Sequence, residues 1–205
     1  MLTVALTGGI ASGKSVVTEV LHNLGCYIHQ SDQAAHELIQ PGTPAWQKIK
    51  DHFGPSILNS DKTINRKSLG RLVFENPEER SFMNNLLHPL VMEKKKELIN
   101  RLRAEGRYKI FISEAALTIE SGYASFFDKI VVVYCPREIQ LKRLIERNHL
   151  SLEMAQKKLQ SQMAPEKKLP FADYIINTSG SIASTIEQSE RLFRHLMMDY
   201  FILYK

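Results

Sequence analysis

The sequence predicts an α/β protein of three layers, a mainly parallel five-stranded sheet with helices on both faces. Three observations carry that expectation. Strand-like and helix-like stretches alternate along the whole chain. Two of the strand candidates, 108–113 and 129–135, are nearly continuous apolar runs, as expected of strands covered on both faces. The first strand candidate runs straight into Gly8-Gly9 and then into a helix, the order of a parallel α/β unit.

Taken in order, residues 2–7 are apolar and β-prone. Val16, Val17, Val20, Leu21 and Leu24 fall at helical spacing over 14–24, and Gly25 closes that helix from a C′ position. A short second strand is expected at 26–30. Turn signals at Pro41-Gly42, Gly54-Pro55, 59–61 and Asn76-Pro77 divide a mostly helical stretch over 32–105. Within it, 78–103 is one long helix or two, with Pro89 as a kink or break. After the strands at 108–113 and 129–135, Pro136 opens a helix that runs through Arg147. Residues 151–163 form a polar helix with Ser151 as N-cap and Glu153 in its first turn. A last strand is expected at 173–177. The terminal helix, 181–205, is amphipathic, with Ile182, Ile186, Phe193, Met197, Tyr200 and Phe201 on its apolar stripe. The block 33–105 is far longer than a simple crossover. It is expected to be an inserted substrate-binding subdomain of one domain, whose core comprises 1–32, 106–147 and 169–205. Segment 148–168 is expected to be a mobile helical lid.

A chain of 205 residues is long enough for one well-buried domain. Its formal net charge of +5 suits either nucleic acid or a small polyanion such as a nucleotide with a phosphorylated substrate. No nucleic-acid module signature accompanies the charge, so no nucleic-acid partner is expected. Lys94-Lys95-Lys96 and Lys167-Lys168 are short clusters on helical stretches, and a solvated face explains the first. No run approaches the ~18 apolar residues of a bilayer span. The N-terminal run reads as a strand rather than a signal peptide, so a cytoplasmic protein without a membrane partner is expected. Cys26 and Cys135 lack metal-ligand spacing and are expected to be free, buried thiols.

The chemistry concentrates in one motif. Gly8-Gly9-Ile10-Ala11-Ser12-Gly13-Lys14-Ser15 fits G-x-x-x-x-G-K-[ST]. Glycines let such a loop turn its backbone N–H groups inward onto phosphate oxygens, and the helix beginning near Lys14 adds its positive end. Lys14 is placed to reach the β- and γ-phosphates, and the Ser15 hydroxyl to ligate Mg²⁺. The expected ATP-binding set is Gly8, Ala11, Ser12, Gly13, Lys14, Ser15 and Val16, joined by Arg143. A GTPase switch would show Asn-Lys-x-Asp, which is absent. Asp51-His52-Phe53-Gly54 fits the loose D-x-x-G pattern but lies in a helical region. A motor ATPase usually needs a larger chain. A small kinase with a small acceptor remains.

Further stretches narrow the choice. Ala5-Leu6-Thr7 leading into the loop, Ser31-Asp32, Leu86-Leu87-His88-Pro89-Leu90, Asp128-Lys129-Ile130-Val131-Val132-Val133, Gln140-Leu141-Lys142-Arg143 with Arg147, Gln162, and Ala172-Asp173-Tyr174-Ile175-Ile176 follow one another over residues 1 to about 200. In content and order they resemble the dephospho-coenzyme A kinase family. The resemblance implies the P-loop kinase fold and transfer of the ATP γ-phosphoryl group, with Mg²⁺, to the 3′-hydroxyl of dephospho-CoA. That is the last step of coenzyme A biosynthesis. The chain departs from the family pattern at Gln30-Ser31-Asp32, where Asp-x-Asp is frequent. It departs again at Ala116-Leu117-Thr118 before Ile119-Glu120, and at Ile176-Asn177-Thr178.

Lys14, Asp32 and Arg147 are the candidate catalytic residues. Asp32, just beyond the second strand, is a general base for the acceptor hydroxyl and a holder of the Mg²⁺ water shell, or else an N-cap for the following helix. Arg143 and Arg147 lie one turn apart and can face one side, where cations stabilise a phosphoryl-transfer transition state; surface salt bridges are the competing reading. Lys168 would close onto phosphate from the far end of the lid. Glu114 is a candidate for water-mediated Mg²⁺ contact, or a structural helix contact. His88 is either a substrate contact or a buried, hydrogen-bonded histidine. Trp46 and Phe53 suit core packing, with the pantetheine arm as the alternative. Asp32, His88, Glu114 and Lys168 form the expected substrate-binding set. The expected partners are ATP and dephospho-CoA, and the expected state is a monomer or weak homo-oligomer. Two rivals stand: a nucleoside or nucleotide kinase of similar build, and a non-catalytic nucleotide-binding switch.

Overall fold

The structure, a computed structural model, describes residues 1–204, with Asp32 described by its backbone alone. The chain divides into two compact units, Met1–Gln30 with Leu102–Lys205, and Ser31–Arg101.

The first unit is built on five parallel strands. These are β1 (Leu2–Thr7), β2 (Tyr27–Gln30), β3 (Ile110–Glu114), β4 (Lys129–Tyr134) and β5 (Tyr174–Asn177), in the order β2-β3-β1-β4-β5. In register, Ala5 stands opposite Ser113 on one side and Ile130 on the other. Every residue of central β1 is buried, which explains its unbroken apolar run. Leu2, Val4, Leu6, Ile110, Ile112, Val131 and Val133 meet Val17, Leu21, Leu192 and Leu196 in the main core. Because all strands run one way, all five C-terminal ends lie along one edge. From β1 the sheet extends to β3 and β2 on one side and to β4 and β5 on the other. The loop after β1 therefore opens at the reversal point where parallel sheets leave a crevice.

Helix α1 (Lys14–Asn23) buries Val17, Thr18 and Leu21. It ends in a two-bond C-terminal motif: Gly25 N–H donates to His22 O (2.9 Å) and Cys26 N–H to Leu21 O (3.0 Å), with Gly25 at φ 95°. At the other edge of the sheet, the Asp128 carboxylate accepts from Thr3 N (2.7 Å), Thr3 Oγ1 (2.8 Å) and Tyr204 Oη (2.9 Å), tying the start of β1 to the chain terminus.

In the second unit, α2 (Ser31–Leu38), α3 (Pro44–Phe53), α4 (Arg66–Glu75) and most of α5 (Pro77–Glu105) surround a separate core of Ile39, Trp46, Ile49, Ile57, Ile64, Leu69 and Met83. Thr43 and Asn65 cap α3 and α4 through Trp46 N and Ser68 N. Trp46 is buried here, and its indole N–H donates to Lys62 O (2.9 Å); Phe53 packs against the same core. Helix α5 continues through Pro89 as one element of 29 residues, so Pro89 does not divide it. Pro89 has no N–H to donate there.

In the first unit, α6 (Arg137–Asn148) ends at His149, whose φ is 50°. Then come α7 (Leu152–Gln160), capped by Ser151, and the short α8 (Pro165–Lys168). Leu144, Ala155 and Leu159 bury against one another and pack with Ile10 and Ala11. Helix α9 (Ile182–Leu203) departs from the expected stripe. Its buried line is Thr185, Ser189, Leu192 and Leu196, flanked by Phe193, Met197 and Tyr200, whereas Ile182, Ile186 and Phe201 are exposed. Two hydroxyls can be buried because each bonds back within the helix, Thr185 to Ser181 O (3.3 Å) and Ser189 to Thr185 O (2.7 Å). Among the described residues, no helix is long and apolar enough to cross a membrane.

Candidate active site

The loop between β1 and α1 is shaped by positions that reject a side chain. A Cβ on Gly8 would lie 2.4 Å from Val133 O and 2.7 Å from Ser12 Oγ. Gly13, at φ 88°, adopts a left-handed conformation as the residue preceding α1. Ala11 is also left-handed, at φ 58°. Ser12 N–H donates to Gly9 O (3.2 Å) and Val16 N–H to Gly13 O (3.2 Å), which closes the turn onto the first turn of α1. Lys14 folds back along the loop, its Nζ 3.1 Å from Gly8 O and 3.2 Å from Gly9 O. Ser15 is exposed beside it.

Two buried polar atoms here have no partner. Ser12 Oγ faces Gly8, and Gln140 Nε2 lies 2.6 Å from where a Cβ on Gly9 would stand. A buried donor left unmade is costly, so both are suited to an arriving oxygen from phosphate or water.

Arg143 and Arg147 are not equivalent. Arg143 points to Thr178, with Nη2 donating to Thr178 O (2.6 Å) and Nη1 to Thr178 Oγ1 (3.2 Å). Thr178 Oγ1 in turn donates to Ser12 O (2.7 Å), so this pair supports the second half of the loop. Arg147 is exposed, and its Nε donates to the neighbouring Asn148 Oδ1 (3.0 Å). Glu114, the last residue of β3, stands opposite Leu6 and Gln30 in register, which puts it on the edge where the loop opens.

Lys168, expected to offer its ammonium to an anion, is instead fully buried. Its Nζ donates to Ala116 O (2.7 Å) and to Glu120 Oε1 (2.7 Å) and Oε2 (2.9 Å). Three acceptors satisfy its three protons. His88, in the second unit, is half-buried; burial first, then the Lys95 charge, hold its pKa below the ordinary value and favour a neutral ring. The side chain of Asp32 lies outside the described residues. Both cysteines are buried thiols; burial pushes Cys26 up to about 12 and also raises Cys135.

The structure thus gathers Lys14, Ser15 and the loop amides with Arg143 and Glu114 along one sheet edge, and assigns Lys168 a different partner. Sequence reasoning missed Thr178, Glu120 and Gln162 as supports of the loop. Each had appeared only as part of a family pattern or a departure from it.

Comparison with known proteins follows the same line. Residues 2–184 match the family model described as dephospho-CoA kinase. A dephospho-CoA kinase of Syntrophus aciditrophicus is 39% identical over 96% of this chain and 84% of that protein. One of Carboxydothermus hydrogenoformans is 43% identical over 90% of this chain and 89% of that protein. Among solved structures, the dephospho-CoA kinase from Campylobacter jejuni superposes with a TM-score of 0.70 at 34% identity, covering 95% of this chain and 96% of that one. The protein TT1252 from Thermus thermophilus superposes with a TM-score of 0.82 at 25% identity, covering 95% and 97%.

Proposed function

Since the chain belongs to the dephospho-CoA kinase family, we propose that it transfers the γ-phosphoryl group of ATP to the 3′-hydroxyl of dephospho-CoA, giving coenzyme A and ADP. The observation that carries the reading is the loop over residues 8–15, where Gly8 admits no side chain and Lys14 lies along the loop at the start of α1.

The loop amides and the N-terminus of α1 hold the phosphates, and Lys14 swings from the Gly8 and Gly9 carbonyls onto the β- and γ-oxygens. Ser12 Oγ and Gln140 Nε2, now without partners, have donors to spare for that polyanion or its water. The exposed Ser15 hydroxyl, with the Glu114 carboxylate at the end of β3, is a hard-oxygen donor set that fits Mg²⁺. Ser15 would hold the ion, with Asp32 or Glu114 through water. When bound, Mg²⁺ neutralises charge on the transferred phosphoryl group.

Asp32, two residues after Gln30 in the sequence, accepts the proton of the attacking hydroxyl, a role worth ~10²–10⁴-fold in rate. Arg147, exposed at the end of α6, swings onto the transferred group, while Arg143 acts at the loop. His88 offers a neutral imidazole to the substrate. Within the lid segment 148–168, α7 is the part that closes to exclude water. The protein works in the cytoplasm as a monomer or weak homo-oligomer.

An ADP-release assay with ATP and Mg²⁺ tests the reading, run with dephospho-CoA, with nucleosides and with no acceptor. Release that depends on dephospho-CoA is the expected result. Release with nucleosides alone, or none with any acceptor, overturns it.

A further inference from the structure

The stretch between α7 and the end of α8 is tied down at three points, one on the phosphate loop and two on the segment that follows β3. The Gln162 side-chain carbonyl accepts from Ile10 N–H (2.8 Å), a contact between residues 152 positions apart. Met163 N–H donates to Glu120 Oε1 (3.2 Å). Lys168, wholly buried, closes the far end on Glu120 and on the Ala116 carbonyl. That same carbonyl accepts from Thr7 Oγ1 (3.2 Å), one residue before the loop begins.

We propose that Gln162 is a positioning residue that fixes the Gly9–Ile10 peptide plane of the phosphate loop, and that the Lys168–Glu120 pair is the anchor that holds it there. The argument rests on one peptide group. No peptide bond among the described residues is cis, so the Gly9 carbonyl and the Ile10 N–H point in opposite directions from one plane. Gln162 holds the N–H side. The carbonyl side receives Ser12 N–H (3.2 Å) and the Lys14 ammonium (3.2 Å). Gly9 has no Cβ to resist rotation, so without Gln162 the plane is held from its carbonyl side alone, by two bonds of 3.2 Å. Turning it would swing the Gly9 carbonyl away from Ser12 and Lys14 together and open the loop that is to receive phosphate. Gln162 sits in an irregular segment, between helices, and needs an anchor to keep its reach. Lys168 and Glu120 supply one that solvent screens from the carboxylate side alone, since the ammonium is wholly removed from water while the Glu120 side chain stays 21% exposed.

The segment expected as a lid thereby splits in two. Over 152–160, Ala155 and Leu159 give α7 an apolar contact with Ile10 and Ala11, whereas 162–168 is fixed by hydrogen bonds and an ion pair. Closing motion belongs to the first part. The second is a strap that stays in place when the first part moves.

The inference rests on the proposed reaction only for its kinetic arm, so the test has a second readout that needs no turnover. In the nucleotide-free protein, amide hydrogen exchange at Ile10 is measured for wild type, Gln162→Met, Glu120→Gln and Lys168→Met. Gln162→Met keeps the side-chain length and removes the acceptor. Ile10 is expected to lose protection in all three variants, and the KM for ATP to rise about 5- to 10-fold in Gln162→Met, the order of one lost neutral hydrogen bond. Because the anchor acts through Gln162, Gln162→Met combined with Glu120→Gln should be no worse for ATP than the more damaging single change. Lys168→Met leaves Glu120 without its partner; if it does not fold, the other two variants decide. Wild-type protection of Ile10 in folded Gln162→Met overturns the proposal, and so do multiplicative effects in the double variant. Failure of dephospho-CoA to act as acceptor would remove the reaction assignment and leave the exchange result standing.

Discussion

Thr178 offers the sharpest test of how the loop is held. Thr178→Val keeps the shape and removes one oxygen. In the wild type that oxygen donates to Ser12 O at 2.7 Å in a buried setting and accepts from Arg143 Nη1 at 3.2 Å. Losing the donor strands a buried carbonyl, a penalty of about 1–3 kcal/mol. Arg143 loses less, since its Nη2 keeps the Thr178 carbonyl at 2.6 Å. The sum is about 2–4 kcal/mol, which for a chain of this size lowers Tm by roughly 5–10 °C. Gly13 lies directly against Thr178, with a virtual Cβ 3.4 Å from three of its atoms, so the loosened contact also reaches the loop. The KM for ATP should rise several-fold. Calorimetry and initial rates against ATP measure the two effects, and Thr178→Ser, which keeps the hydroxyl, should stay near wild type in both. If Thr178→Val melts and binds ATP like the wild type, or if Thr178→Ser is equally damaged, the hydroxyl is not the support claimed for it.

Gly8→Ala forces a methyl to 2.4 Å from the Val133 carbonyl, which belongs to a buried central strand, so the loop must move instead; a displacement near 1 Å should cost roughly 10²-fold in kcat/KM by the ADP-release assay. Arg147→Ala removes an exposed side chain bonded to its neighbour Asn148, so Tm should hold while kcat falls by at least about tenfold; an unchanged kcat would limit Arg147 to the surface. Burial depresses the Lys95 ammonium to about 8 from an ordinary 10.5. Between those values the unfolded chain binds more protons, so stability climbs with pH there, by about 2 kcal/mol from pH 8 to 10. Cys26, raised to about 12, works in the opposite direction from pH 9 upward. Urea melts of wild type against Lys95→Met therefore isolate the lysine, and parallel pH profiles would refute the assignment.

The fold was legible because its signals are local. Strands buried on both faces show as apolar runs, as in β1, β3 and β4, and helix ends show as Gly25 and Ser151. The loop over residues 8–15 was legible for the same reason, since its constraint is carried by eight consecutive residues. Where the reading failed, the missing information was contact between distant segments. The stripe of α9 was misplaced because burial was assigned by apolarity, whereas Thr185 and Ser189 face the sheet with their hydroxyls satisfied inside the helix. Lys168 looked like a phosphate ligand because it stands at the far end of the expected lid, and nothing local reveals Glu120 at a separation of 48 residues.

The same distinction separates the two kinds of residue at this site. The groups proposed to meet the phosphates are supplied mostly by the loop itself and can be read from it. Groups that hold the loop in shape come from elsewhere in the chain. Thr178 fixes the Ser12 carbonyl from the end of β5, and Gln162 fixes the Ile10 N–H from behind α7. Between these two points lies Ala11 in a left-handed conformation that only surrounding structure can enforce. A glycine-rich loop held at neither point would sample many shapes and lose conformational entropy on closing around a nucleotide. Held at both, it meets that cost during folding, and more of its binding energy is left for the phosphoryl group in transit.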